Sequence, residues 1–322
     1  MEMSAMPFRP SARQLEYFSA LAEVLHFGKA ADKCNVSQPT LSSQFKLLEE
    51  SLETVLVERS AGVVSLTAAG ERLLPMARQV LENLDEFVLA AKAGQGNLGG
   101  LIRLGVSSTF GPYFMPYLLP ILKQAYPGLE LYIREDRPGL LEEQLRSGVL
   151  DCVMTPDITR SDQIEDRILC HEAVVLAVPR THPLAGVGVI PVSMLRGEKL
   201  LSLGQGFRLH NDVQELARAA GAEFRQDYEG TSLDAVRQMA SIGMGLALFP
   251  AAYVASEFGK EPNLLLKRVE GVPLNRTMSL AWRKGSSRAG HFEKLLSLSR
   301  EAVLSMQIDG VTLPPDGSTK DT

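Results

Sequence analysis

The chain has 322 residues, 45% hydrophobic and 22% charged, a balance that suits a soluble globular protein of two or more domains. No apolar run approaches the roughly 20 residues needed to cross a bilayer, and MEMSAMPFRPSARQ at the amino terminus has neither an apolar signal core nor a small-residue cleavage site. A cytoplasmic protein with no membrane partner is expected; its net charge of −5 argues against wholesale coating of nucleic acid, and three cysteines without CxxC spacing support neither a disulfide framework nor a metal site.

Ser11 and Gln14 form a capping-box pattern, and Leu15, Phe18, Leu21 and Leu25 follow at helical spacing. A short second helix, FGKAADKC, reaches a turn at Asn35–Val36. The next stretch, CNVSQPTLSSQFKLLEE (34–50), predicts a third helix. Ser37 suits the N-cap, Pro39 suits the first turn, and Leu41, Phe45 and Leu48 recur as a buried stripe. The opposite face carries Pro39, Ser43 and Lys46, flanked by Thr40 and Ser42, a short-chained surface that can approach a partner and hydrogen-bond to it. Between 26 and 46, Lys29, Lys33 and Lys46 face Asp32 alone, so the local charge is positive. Two short helices and a tight turn make a helix-turn-helix; a small helical bundle in an enzyme lid would share the periodicity.

VVSL, beside a glycine, predicts a small hairpin or wing. Thr67 can cap a long helix reaching about residue 93. Along it Leu66, Gly70, Leu73, Ala77, Val80, Leu84, Phe87 and Ala91 alternate spacings of 4 and 3, which is a coiled-coil seam and predicts a homodimer; packing within one chain is the alternative. Pro75 should kink this helix. GQGNLGG (94–100) reads as a flexible hinge. Beyond it, short β-rich runs (LIRLGVS, LELYIRE, DCVMTP, AVVLAVP, KLLSLGQ, FRQDYEG, LALFP) alternate with helical stretches, including 211–220 and 232–242. That grammar predicts an α/β fold with largely parallel sheets, in two lobes around a cleft. The last residues, from 307 to 322, lack periodicity and read as a disordered tail.

Phe27 to Glu49 spell F-x-x-A-A-x-x-x-x-V-S-Q-P-T-L-S-x-Q-x-x-x-L-E, followed by L-x-E-R (56–59) and L-T-x-A-G (66–70). This pattern resembles the LysR-type transcriptional regulators. The resemblance implies an α/β multidomain protein with a winged helix-turn-helix at 11–66, a linker and dimerisation helix at 67–93 and a hinge at 94–100. A periplasmic-binding-protein-like effector domain would then occupy 101–303, with lobe I at about 101–172 and 277–303 and lobe II at about 173–276. It also implies a homodimer or homotetramer on inverted-repeat double-stranded DNA, a small-molecule effector and RNA polymerase as a partner. Within the family, GEKLLSLGQGFRLHND (197–212) and TSLDAVRQMASIGMGLALFPA (231–251) look like the peroxide-sensing OxyR branch. Where that branch carries its redox cysteines this chain has Arg208 and Ala217, neither of which can form a sulfenic acid or a disulfide. Members usually have glycine where this chain has Glu53, and a basic wing where it reads AGVVS.

In this frame Gln38 can pair with adenine, Pro39 can touch a thymine methyl and Ser43 can bond either way, while Ser37 opens the helix against the duplex. Thr40, Lys46 and Arg59 would hold phosphates. In the effector half, SSTFGP (Ser107, Ser108, Thr109 and onward) joins a strand end to a helix start and forms an anion cradle. Gln205, Arg208, Thr231 and Ser232 on the second lobe, with Thr155 and Asp157, converge by family analogy on an interlobe site for a small organic anion. The competing reading makes all of them turn and capping residues. No enzyme motif or cofactor site is present in the sequence, and a solute-binding protein would need an export signal. The alternative regulator is thiol-based, sensing oxidative stress through Cys152 and Cys170.

Overall fold

The computed structural model describes residues 9–60, 63–92, 98, 100–156, 158–159, 161–225 and 230–315. The chain divides into two compact units, the first ending near residue 97 and the second beginning at Leu98.

In the first unit, α1 (Ala12–Val24), α2 (Phe27–Lys33) and α3 (Gln38–Ser51) precede the hairpin β1 (Val57–Ser60) and β2 (Val63–Leu66) and the long helix α4 (Ala68–Lys92). The capping box at Ser11 is complete, with both reciprocal bonds to Gln14 formed. Asn35 adopts a left-handed φ of 53° in the tight turn between α2 and α3, a conformation its short polar side chain tolerates. Phe18, Phe27 and Phe45 meet with ring centroids 6.0 Å apart, burying the stripe that began as a periodicity. Glu53 sits at φ 49°, which gives a physical reason for a glycine to be usual at that position.

The expected seam on α4 divides in two. Leu66, Leu73 and Ala77 pack into the unit's own core, and a Cβ on Gly70 would lie 2.1 Å from the Leu56 carbonyl oxygen, so glycine is required for that approach. Val80, Leu84, Phe87 and Val88 remain exposed. The helix runs unbroken through Pro75. Most of the expected hinge lies outside the described residues, as do Asp157 and 316–322.

The second unit begins with β3 (Gly100–Ser107), α5 (Gly111–Ala125), β4 (Leu129–Asp136), α6 (Pro138–Arg146), β5 (Cys152–Pro156) and β6 (Ile164–Pro179). It continues through β7 (Val189–Pro191), β8 (Lys199–Leu201), α7 (Arg208–Ala220), β9 (Glu223–Phe224), α8 (Leu233–Ser241), β10 (Leu246–Pro250), α9 (Ala251–Glu257) and β11 (Leu264–Glu270). The chain then returns along β12 (Asn275–Arg283), α10 (Ala289–Met306) and β13 (Val311–Thr312). Residues 164–173 of β6 pair with β12 in lobe I, whereas 174–179 pair with β10 and β11 in lobe II. Each lobe has its own apolar core.

Three features depart from the sequence expectation. The sheets are mixed: β4, β3 and β5 are parallel, as are β10, β8 and β9, but β6 and β12 run antiparallel to their neighbours because they carry the chain between lobes. α7 starts at Arg208 instead of 211, so its first turn contains residues expected in a loop. Residues 307–315 are not a featureless tail, because β13 pairs with Glu172 and His171 of β6 while Ile308, Val311 and Leu313 pack on the lobe I core.

Candidate DNA-binding face and effector cleft

Pro39, Ser43 and Lys46, flanked by Thr40, are exposed on the side of α3 away from buried Leu41, Phe45 and Leu48, and Ser37 and Gln38 are exposed at the helix start. Ser37 caps the helix by accepting the Thr40 N–H at 3.3 Å, and the Ser37 and Thr40 hydroxyls lie 2.7 Å apart. Ser43 Oγ donates to the Thr40 carbonyl at 3.0 Å. This parks its hydroxyl along the helix until a better acceptor displaces that bond. Lys46 Nζ lies 3.4 Å from Glu50, with both groups exposed, so the pair is worth little and the cation can exchange partners.

Arg59 is oriented more firmly. Its guanidinium carbon lies 3.8 Å from the centre of the Phe27 ring, and Nη2 donates to Ser42 Oγ at 3.4 Å. The wing arginine is therefore aimed along α3. Glu49, which sequence reasoning used only as a motif letter, accepts the Leu56 and Val57 N–H groups at 2.7 and 3.2 Å and fixes the approach to the wing.

In the second unit, Ser107, Thr109 and Thr155 are buried, Ser108 is partly buried, and Gln205, Thr231 and Ser232 are exposed. Ser107 Oγ and Thr109 Oγ1 are 3.2 Å apart. Arg276 donates to Thr109 Oγ1 at 2.7 Å, to the Thr109 carbonyl at 2.9 Å and to Glu172 Oε2 at 2.8 Å; both Arg276 and Glu172 are fully buried. Glu172 also accepts the Ala252 N–H at 2.8 Å. This buried ion pair is internally satisfied, as a desolvated pair must be, and it ties the start of α5 to the place where β6 and β12 change lobes.

The anion cradle expected at Ser107–Thr109 is largely spent. Ser108 N–H donates to the Asp136 carbonyl, Phe110 N–H to Ser107 and Tyr113 N–H to Phe110, and Pro112 has no N–H to offer. Glu135 adds an obstacle: its Oε1 lies 3.2 Å from where a Cβ on Gly111 would be, and burial raises its carboxyl above the usual range.

Arg208, expected to stand in the cleft as an anion receptor, is the first residue of α7 and its Nε donates to Asp212 at 2.7 Å. A cation at a helix N-terminus is disfavoured by the macrodipole, and the Asp212 carboxylate one turn on offsets that. Ser232 caps α8 by accepting the Ala235 N–H at 3.3 Å, and Thr155 Oγ1 donates to the Pro156 carbonyl at 3.1 Å. Their local geometry is the capping and turn geometry of the competing reading.

Of the residues that span the lobes, the sequence singles out Gln205 but not Arg137, Tyr113 or Tyr253. Arg137, in the turn between β4 and α6, donates to the Gln205 carbonyl at 3.3 Å and lies 5.7 Å from the Phe207 ring centre. Tyr113 on α5 meets Tyr253 edge-to-face at 5.2 Å. Tyr253 in turn donates to Asp234 at 2.8 Å and accepts from Arg237 at 3.0 Å.

Cys152 and Cys170 are both 0% exposed, and burial, with Glu172 nearby, pushes the Cys170 thiol up to about 12. Cys152 pairs with Trp282 and Cys170 with Met278, on opposite sides of β12 and four residues apart along it. That places them about 16 Å apart at the usual strand spacing and rise, well beyond disulfide reach. Among the described residues no cluster of His, Cys, Asp and Glu could hold a metal ion, and no helix is long and apolar enough to cross a membrane.

Comparison with known proteins supplies the context for both sites. A family profile described as bacterial regulatory helix-turn-helix protein, lysR family, matches residues 12–71, and one described as LysR substrate binding domain matches 95–303. The DNA-binding transcriptional dual regulator OxyR of Escherichia coli K12 is 37% identical over 288 residues, covering 89% of this chain and 94% of the relative. A hydrogen peroxide-inducible genes activator of Haemophilus influenzae is 34% identical, covering 93% and 99%. Full-length OxyR of Pseudomonas aeruginosa, solved as a cysteine-to-aspartate variant, superimposes with a TM-score of 0.76 at 30% identity, covering 91% of this chain and 98% of the other.

Proposed function

The chain belongs to the LysR family of bacterial transcriptional regulators, and from that premise we propose that it binds inverted-repeat operators as a homodimer or homotetramer and alters transcription, through RNA polymerase, in response to oxidants. The observation that carries the DNA reading is the α3 face, on which Gln38, Pro39 and Ser43 stand exposed beside Lys46, with Arg59 held against Phe27. Gln38, Pro39 and Ser43 would read base edges, and Thr40, Lys46 and Arg59 would take phosphates.

The oxidant reading takes its support from relatives named as hydrogen peroxide-inducible genes activators, which favour it over an organic anion in the cleft. The spent N–H groups at the start of α5 and the Arg208–Asp212 pair weigh on the same side. Distance rules out a Cys152–Cys170 disulfide within the folded sheet, so the thiol chemistry would be that of a single residue. Both thiols are buried and burial holds the Cys170 proton on, so the reaction needs a local opening that admits peroxide. The thiol gives up its proton, the sulfur attacks one peroxide oxygen and the O–O bond breaks. The departing hydroxide takes that proton to become water, and the sulfur is left as a sulfenic acid.

Operator footprinting of the wild type and of a Cys152→Ser, Cys170→Ser variant, before and after hydrogen peroxide and then dithiothreitol, tests this. A reversible redox-dependent footprint that the double variant loses supports the reading. A wild-type footprint indifferent to both reagents overturns it, and an effector at Ser107, Thr109, Thr155 and Gln205 becomes the better account.

A further inference from the structure

The carboxy-terminal segment lies where β6 passes between the lobes. Ala173 is the last lobe I residue of that strand, and its N–H donates to the Gly310 carbonyl at 2.7 Å. On either side of Gly310 the segment reaches both lobes. Val311 and Thr312 pair with Glu172 and His171 of lobe I, and Leu313 packs on the lobe I core. In the other direction Asp309 faces Arg268 of lobe II at 3.9 Å. Gly310 has φ 84°, and a Cβ built on it would lie 2.8 Å from Ala173 Cβ and 3.5 Å from Ala251 Cβ. Only glycine fits that approach without something shifting. The family match ends at residue 303, so this segment lies beyond the matched domain.

We propose that residues 307–313 act as a strap across the interlobe hinge, clamping β6 at Ala173 and restraining rotation of one lobe on the other. The mechanical logic is local. Two strands cross between the lobes, β6 at 173–174 and the chain entering β12 at 274–275, and they are joined there by Val174 N–H donating to the Leu274 carbonyl at 2.9 Å. With β12 bonded on one side of β6 and β13 on the other, the crossing strand has no free edge at Glu172, and bending it must break bonds on one side. The strap is also undercut. Met306 to Asp309 line a groove of about 620 Å³ whose other walls include Tyr117, Val254 and Leu266. The segment is held by its pairing at 310–312 and by Ile308, Val311 and Leu313 on the lobe I core, and short, edge-paired elements open at lower cost than the core beneath them.

Two variants of the full chain test the strap: truncation after Met306, which leaves α10 complete, and Gly310→Val, which displaces the clamp. Residue-resolved hydrogen exchange is the readout. Ala173 N–H loses its acceptor and must exchange faster on any account. Val174 N–H is the discriminating probe, because its acceptor, Leu274, is untouched. A hinge freed of its restraint exchanges Val174 N–H at least about tenfold faster in both variants. Faster exchange at Ala173 with Val174 unchanged would make the segment a mere edge cover and overturn the proposal. Should Gly310→Val fail to fold, the truncated chain decides alone.

Discussion

Replacing Phe87 with alanine removes the largest apolar side chain that α4 leaves in solvent. Phe87 is 75% exposed, which leaves roughly 130 Å² of ring surface to be buried by a partner, or about 3 kcal/mol at ~25 cal/mol/Å². A two-fold seam presents the ring twice. If half of that area stays wet in the dimer, the truncation costs about 3 kcal/mol, a rise of roughly a hundredfold in the dimer dissociation constant. Buried area converts poorly into absolute affinity, but a difference between two otherwise identical interfaces is safer ground. Sedimentation over a concentration series reads the constant directly, and operator binding should weaken with it. Because the ring packs on nothing in its own protomer's core, the thermal midpoint of the monomer should not move. A dimer of unchanged affinity would refute the seam. A fallen midpoint with the dimer intact would mean that the ring supports its own domain instead.

Two further outcomes follow. Ser43→Ala should relax base preference, whereas Lys46→Ala should weaken binding on every sequence and lower the salt slope by about 1; equal losses on operator and random DNA for both would refute that division. The Cys170 thiol, ordinarily near 9 and pushed up to about 12 by burial, keeps its proton in the native state where the unfolded chain releases it. Its contribution to stability is thus complete below about pH 9 and is lost as pH rises toward 12. Denaturant titrations from pH 8 to 10.5 should fall more steeply for the wild type than for Cys170→Ala, and parallel curves would contradict the burial argument.

The first unit was legible because its determinants are local. Caps at Ser11, Ser37 and Thr67 and the stripe at Leu41, Phe45 and Leu48 lie within a few residues of what they organise. The second unit was legible only where strands are buried on both faces. β5 and β10 read as continuous apolar runs and are buried at every residue. The first half of β6, Ile164 to His171, is polar enough to pass for loop, and what makes it a strand is its pairing with β12, about a hundred residues later. The Arg276–Glu172 pair spans 104 residues and has no local signature. The sequence places the start of α7 too late because Phe207, at its N-cap, makes no side-chain capping bond and nothing before Asn211 announces a helix. Along α4 the 3.5-residue period predicts one continuous stripe, for a partner or for packing within one chain, and periodicity cannot say which half its own domain covers. Leu66, Leu73 and Ala77 pack in the core while Val80, Leu84 and Phe87 stay exposed.

The cleft of this protein is bridged by its own side chains, and that sets what a signal must overcome. Arg137 reaches from lobe I to the Gln205 carbonyl and lies by the Phe207 ring, one residue before the place where the OxyR-like pattern would carry a reactive thiol. An exposed cation–π contact is worth about 0.5–1 kcal/mol and a hydrogen bond a net ~1 kcal/mol, so this link biases the lobes toward their joined state by roughly ten- to thirtyfold. Arg208 cannot be recruited against it cheaply. Drawing that guanidinium onto a ligand would break its bond to Asp212, a nearly buried carboxylate, and uncovering such a group costs more than a surface pair returns. A signal that loosens Arg137 removes one of the interlobe links, beside the Tyr113–Tyr253 contact, and shifts the lobe balance by no more than that link contributes. Nothing in that balance requires the signal to be a ligand seated between them.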